Sequence, residues 1–274
     1  MSGGGNILVR MENQLESLGL PQIRAGVGAA VDAINSGSKS PVEALSELVD
    51  SEWRMRQSKA ISICVNTAHL PFAKTFDDFD FSFQPGLNRA EVLDLQYLRF
   101  MEGAENLIFI GSPGVGKTHL ASAVALYSAR QRKATYFITC QDLIARLERA
   151  EIQGKSQQVL NQYARYGLLV IDEVGFLPVG RVGAKLFFQL ISMRYERHST
   201  VVTTNIPLSR WAETFEDPVL TNAILDRLLH HSRIFKIVGR SYRTRDIAGL
   251  PAAAEPLGVP NGMDGKPSSP NNKE

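Results

Sequence analysis

The residues Gly111-Ser112-Pro113-Gly114-Val115-Gly116-Lys117-Thr118 carry the most specific chemistry in this chain of 274 residues. They fit G-x-x-x-x-G-K-[ST], follow the apolar run Leu-Ile-Phe-Ile and open the helical run His119-Leu120-Ala121, the context in which this pattern binds phosphates. Glycines let backbone N–H groups wrap a phosphate chain, and the positive end of the helix assists. Lys117 is placed to reach the β- and γ-phosphates, and the Thr118 hydroxyl to ligate Mg²⁺. The expected nucleotide-binding set is therefore Gly111, Ser112, Pro113, Gly114, Val115, Gly116, Lys117, Thr118 and His119.

Leu168-Leu169-Val170-Ile171-Asp172-Glu173 supplies a buried strand that ends in two acids. Asp172 suits a Mg²⁺-coordinating role, and Glu173 suits a general base that polarises an attacking water. The adjacent Glu tilts the chemistry from phosphoryl transfer to an acceptor, as in a monomeric P-loop kinase, toward hydrolysis. Thr203-Thr204-Asn205 ends the next apolar run, where a strand terminus lies near the γ-phosphate; Asn205 can orient water, and Asn-Ile-Pro also has the chemistry of a turn. Arg227, in Ile-Leu-Asp-Arg-Leu-Leu-His, can complete charge stabilisation from a neighbouring subunit. A salt bridge to Asp226 or Glu213 is the alternative use of that guanidinium.

These residues need a scaffold. Strand patterns at 107–110, 135–139, 168–172, 200–204 and 234–238 alternate with helical patterns such as 119–130, 141–150 and 184–197, which predicts a parallel sheet covered by helices. Upstream, residues 1–38 are weakly patterned, with loose first residues expected. Ser40-Pro41-Val42-Glu43 has the composition of a capped helix start. Apolar residues then recur near helical spacing at Val42, Leu45, Leu48 and Val49, and again at Ile61, Cys64, Val65 and Ala68, until Pro71. The expected division is a helical N-terminal domain over 1–70, a linker over 71–87, a nucleotide-binding domain over 88–250 and a disordered tail over 251–274. Five Phe fall between positions 72 and 83, and rings at that density call for burial. Trp53 and Trp211 read as packing residues, and Cys140 as a small buried hydrophobe.

Composition narrows the class. Lys and Arg number 30 against 28 Asp and Glu, and hydrophobic residues make up 44%, the profile of a globular protein. The absence of a long apolar run excludes a membrane-spanning helix. The start has no signal-peptide layout and two cysteines make no disulfide framework, so a reduced, cytoplasmic protein is expected. The near-neutral total hides a pattern: seven acids and two bases over 75–105, and six bases and two acids over 221–247. The basic segment can contact phosphate or decorate a solvated strand edge. His230-His231 carries no nearby acid spacing that marks a metal site.

The segments GSPGVGKTHLA, LLVIDEVGFLPV, RYERHSTVVTTNIPLSRW, ILDRLLHHS and GRSYR, in this order, resemble the IstB/DnaC group of AAA+ ATPases, and within it the IstB-like transposition helper branch. The resemblance runs from about Leu15 to Arg245. It implies an α/β P-loop fold of AAA+ type with a reduced or absent lid and a small N-terminal helical domain. It also implies ATP with Mg²⁺ as cofactors, homo-oligomers assembled on double-stranded DNA, and assistance to the transposase of the same insertion element. The DnaC branch, which loads the replicative helicase, is the alternative. By this resemblance Gly111 to Thr118 is the Walker A loop, Asp172 and Glu173 Walker B, Asn205 the first sensor and Arg227 the arginine finger. Arg243 is at best a second-sensor equivalent, and Phe79 and Phe81 approach the adenine. DNA contacts are expected from Arg54, Arg56 and Lys59 in the N-terminal part and from Arg146, Arg149 and Lys155; a solvated helix face accounts for the same bases equally well.

Overall fold

The computed structural model describes residues 3–242. Arg243 and the tail over 251–274 lie outside the described residues.

Three helices come first: α1 (Gly3–Ser17), α2 (Pro21–Asn35) and α3 (Pro41–Thr67). The weak patterning of residues 1–38 concealed two of them, and the two apolar runs after Ser40 form one continuous helix. Ser40 and Glu43 make the reciprocal capping box: the Glu43 amide donates to Ser40 Oγ at 3.3 Å, and the Ser40 amide donates to Glu43 Oε2 at 2.9 Å. α3 packs on α2 through Ala44, Leu48 and Glu52, all buried. Val42, Leu45, Val49 and Trp53 face outward; Trp53 is 60% exposed, which corrects its reading as a packing residue.

Past α3, the Ala68 carbonyl accepts from the Phe137 amide at 2.8 Å, and His69 lies 4.8 Å from the Tyr136 ring. The helical unit is thereby fixed to the edge of a sheet. The Phe-rich stretch then runs over that sheet. Phe76 is 1% exposed and stacks on Tyr127 at 5.3 Å; burying such a ring stabilises by about 1.5–3 kcal/mol. α4 (Arg89–Asp94) follows.

The sheet has five parallel strands, β1 (Asn106–Gly111), β2 (Thr135–Thr139), β3 (Leu168–Val174), β4 (Ser199–Thr204) and β5 (Ser232–Ile237), in the order β2-β3-β4-β1-β5. Helices α5 (Lys117–Arg130), α6 (Cys140–Ile152), α7 (Ser156–Ala164), α8 (Arg181–Arg194), α9 (Trp211–Phe215) and α10 (Pro218–Leu229) cover it. Side chains along β3 alternate between two cores: Leu169 and Ile171 join Leu147, Phe187 and Trp211, while Leu168 and Val170 join Phe109, Leu120 and Val124. Buried Arg194 donates to the carbonyls of Tyr163, Ala164, Tyr166 and Ser199, joining the turn before β3 to the turn before β4.

The strand order decides where chemistry can occur. β4 lies between β1 and β3, so the C-terminal ends of these three strands are adjacent. Pairing of β3 with β4 runs in register through Ile171↔Val202 and resumes at Val174↔Thr204. β3 therefore carries one extra residue there, a bulge at the position of the two acids.

Candidate nucleotide-binding site

A cavity of about 370 Å³ opens at those strand ends. Its floor is the loop from Pro113 to His119, its far wall Glu173, Thr203 and Asn205, and its near wall Phe79, Phe83 and Gln84. Two glycines make the loop possible. Gly114 and Gly116 adopt φ +82° and +100°, where L side chains are strained. A Cβ at Gly116 would also come 2.5 Å from the Phe79 ring. The amides of the loop and of the first turn of α5 form a concave anion site at a helix N-terminus. The Lys117 ammonium donates to the carbonyls of Gly111 and Ser112 at 2.8 and 2.9 Å, across the mouth of that cradle.

The bulge separates the two acids. Asp172 points inward and is 4% exposed; Glu173 adopts φ +60° and its side chain is exposed toward the cavity. The Glu173 amide donates to Thr203 Oγ1 at 2.9 Å, which holds the bend. A non-glycine residue in this region stores strain of a kind that clusters at functional sites. Thr118 Oγ1 donates to both Asp172 oxygens at 3.1 and 3.2 Å, and Thr203 Oγ1 donates to Asp172 Oδ1. Burial raises the Asp172 carboxyl above its ordinary range, against the lowering effects of the Thr203 and Thr118 hydroxyls and of Lys117. A buried acid beside a hydroxyl, held mainly by neutral donors, is a donor set that suits a hard divalent cation. Asn205 Oδ1 is buried without a hydrogen-bond partner, an acceptor available to a group entering the cavity.

Phe79 lines the cavity and Phe81 does not; Phe83, Gln84 and Tyr242 line it as well. The density of Phe in the linker signalled this wall but not which rings face inward. His119 Nε2 donates to the Thr75 carbonyl at 2.8 Å and its ring meets Phe79 edge-on at 5.4 Å. Burial lowers its pKa, which favours the neutral ring in that bond. Beyond β5, the Tyr242 amide donates to the Gly114 carbonyl at 2.9 Å, and Gln84 Nε2 donates to the Arg240 carbonyl at 3.1 Å. The Gly-Arg-Ser-Tyr segment thus straps the phosphate loop to the Phe-rich wall, a role that no spacing in the sequence announces.

Arg227 does not line its own chain's cavity. Its guanidinium lies 4.8 Å from the Phe188 ring of α8, and Nη1 donates to the Ala223 carbonyl at 2.9 Å. Neither the Asp226 nor the Glu213 salt bridge forms; Glu213 pairs with Arg210.

The six candidate DNA contacts divide. Arg56 bonds Glu52 Oε1 and the Gly19 carbonyl, and Arg146 bonds the hydroxyls of Tyr136 and Tyr163. These two are exposed and also join elements of the fold. Arg54 has a 3.8 Å pair with Asp50. Lys59, Arg149 and Lys155 are exposed and make no ion pair among the described residues. In the basic segment, Arg233 meets Glu105 at 2.8 Å and Asp94 at 3.4 Å, so the acidic and basic segments partly neutralise one another. Burial pushes the Cys140 thiol up to about 12. No helix among the described residues is long and apolar enough to cross a membrane.

Comparison with known proteins agrees with this geometry. Residues 13–248 match the family described as IstB-like ATP binding protein. The ATP-binding protein of insertion sequence IS232 from Bacillus thuringiensis subsp. berliner is 46% identical over 241 residues, covering 88% of this chain and 96% of the relative. That of insertion sequence IS21 from Pseudomonas aeruginosa is 41% identical over 204 residues, covering 74% and 77%. Among solved structures, AMPPCP-bound DnaA from Aquifex aeolicus superposes with a TM-score of 0.53 at 18% identity, over 65% of this chain and 54% of that one. DnaI gives 0.52 at 20%, over 61% and 92%. These two likenesses show the shared fold, a parallel sheet covered by helices. With its family match spanning most of the sequence, the chain belongs to the IstB-like ATP-binding proteins.

Proposed function

We propose that this protein hydrolyses Mg²⁺-ATP at seams between identical subunits assembled on double-stranded DNA, and that the assembly assists the transposase of its insertion element. The observation that carries the reading is the division of the site: Glu173 and Asn205 face the phosphate loop within one chain, while Arg227 stands outside that chain's cavity.

In this reading the loop amides and Lys117 hold the phosphates, and Thr118 with Asp172 would hold Mg²⁺. The ion, when bound, neutralises charge developing on the phosphate oxygens. Glu173 takes the proton of the attacking water and Asn205 Oδ1 orients it. Phe79 and Phe83 give the base an apolar wall. The neighbour's Arg227 supplies the remaining positive charge, and the Phe188 ring and the Ala223 carbonyl hold that guanidinium at the subunit's own surface until the seam forms. Exposed Lys59, Arg149 and Lys155, with Arg54, contact DNA phosphates; each is weak alone, and assembly multiplies them into salt-sensitive binding. The insertion-sequence names of the relatives support the transposition role.

Replacing Arg227 with Ala tests the proposal. ATP affinity is expected to stay at the wild-type level while turnover falls on the order of 10³-fold, the range for such an arginine. Normal turnover by the variant would overturn it.

A further inference from the structure

Glu196, His230 and His231 are distant or unremarkable in sequence, yet the fold brings one ligand atom from each within 4.8 Å of the others. Glu196 Oε1 stands 3.4 Å from His231 Nε2 and 3.9 Å from His230 Nδ1. Ligands at about 2.0–2.1 Å from zinc in a tetrahedron are separated by about 3.4 Å, so the cluster needs only small side-chain rotations to close on an ion. All three side chains are exposed and reachable by a hydrated cation.

The backbone already holds the set. Glu196 sits in the turn between α8 and β4 at φ +56°, the left-handed region that residues with a Cβ adopt uncommonly. The His231 carbonyl accepts from the Asn106 amide at 2.7 Å, which ties it to the start of β1. His230 closes α10, and its Nδ1 shares a 2.6 Å hydrogen bond with the Tyr195 hydroxyl. Coordination through that nitrogen, the one that faces Glu196, exchanges the hydroxyl for the ion.

We propose that Glu196, His230 and His231 form a surface site for a divalent transition-metal ion of zinc type, with water in the fourth position. Two imidazoles and one carboxylate suit zinc, cobalt or nickel, whereas Mg²⁺ and Ca²⁺ take oxygen ligands. The ion clips the turn after α8 to the end of α10, the two helices that supply Phe188 and Arg227. Occupancy of the site rests on no assumption about ATP; its link to turnover rests on the role given to Arg227 above.

The test is calorimetric titration of untagged, full-length, metal-free protein with zinc chloride, without nucleotide and in millimolar Mg²⁺. One zinc per chain is expected, together with the visible spectrum of tetrahedral cobalt when Co²⁺ replaces zinc. Glu196→Gln and His231→Ala are each expected to weaken zinc binding 10- to 100-fold, while His198→Ala and Asp172→Asn leave it unchanged. No saturable zinc binding, or binding by Glu196→Gln and His231→Ala as tight as that of the wild type, would overturn the proposal. Zinc affinity is read without ATP, so a negative result here leaves the Arg227 result standing, and the reverse.

Discussion

Asp172 and Glu173 are neighbours of one chemical type in opposite environments. Strand alternation already places adjacent side chains on opposite faces, so a buried acid beside an exposed one was legible from the run Leu-Leu-Val-Ile-Asp-Glu. The bulge was not, because it depends on Thr203 of another strand receiving the Glu173 amide. Phosphate-binding residues were similarly legible as a contiguous motif, whereas Gln84 and Tyr242 are held at the site by long-range hydrogen bonds, to the Arg240 and Gly114 carbonyls respectively. Asp172 carries the first prediction. Its folded pKa lies above the ordinary 3.8 because burial disfavours the charge. The folded state therefore binds that proton more tightly than the unfolded chain. Ionising it costs stability as pH rises from the ordinary value through the folded one, and the cost is constant above. Asp172→Asn removes the charge at nearly equal volume. Without nucleotide, the variant is expected to melt higher than wild type at neutral pH, with the gain shrinking as pH falls from the folded value toward 3.8 and gone below it. ATP turnover is expected to fall at least 10²-fold. A lower melting temperature at neutral pH would show that the ionised carboxylate holds the strand ends together.

At the scale of elements, α3 shows how periodicity chooses a helix and then misjudges its faces. Val42, Leu45, Val49 and Trp53 make an apolar stripe, but the face packed on α2 is Ala44, Leu48 and Glu52. Hydrophobicity gave the stripe no reason to be the outer one, and a charged residue at position 52 argued against the inner one. Partners reverse that expectation. Glu52 Oε2 accepts from the Gln22 amide at 2.8 Å and the Ile23 amide at 3.4 Å, at the N-terminus of α2, and Oε1 accepts from Arg56 at 2.9 Å. A carboxylate there satisfies amides that the helix leaves unpaired and meets its positive end. Burial alone would raise this carboxyl; Arg56 and the two amides outweigh it and hold it below its ordinary 4.5. The stabilisation is therefore present above 4.5 and lost as pH falls through the folded value. Glu52→Gln turns an amide N–H₂ toward donors and is expected to lower the melting temperature by a few degrees at pH 7. The gap between variant and wild type should close on acidification below 4.5, as followed by circular dichroism. A gap that persists at low pH would assign the loss to packing instead of charge.

For the whole molecule, the arrangement of the Phe-rich wall, the sheet and the Gly-Arg-Ser-Tyr strap leaves a cavity furnished with a phosphate cradle, an acid and an unpartnered amide oxygen, while Arg227 stacks on Phe188 elsewhere. Pattern in a single chain reveals which residue types are present, but it cannot distinguish an arginine that serves its own cavity from one that serves a neighbour's. Mixing two inactive variants makes that distinction. Glu173→Gln disables the pocket and keeps the arginine; Arg227→Ala disables the arginine and keeps the pocket. In an equimolar random assembly, half of the pockets retain Glu173 and belong to Arg227→Ala chains. Half of their neighbours are Glu173→Gln chains that still present Arg227, so about one quarter of all seams are complete. Each pure variant is expected to be inactive, and the mixture to recover about a quarter of wild-type turnover in proportion to those seams. Recovery should require a protein concentration at which wild-type activity per chain has stopped rising. If the arginine served its own chain, every pocket would lack either the acid or the guanidinium, and the mixture would stay as inactive as its components at any concentration.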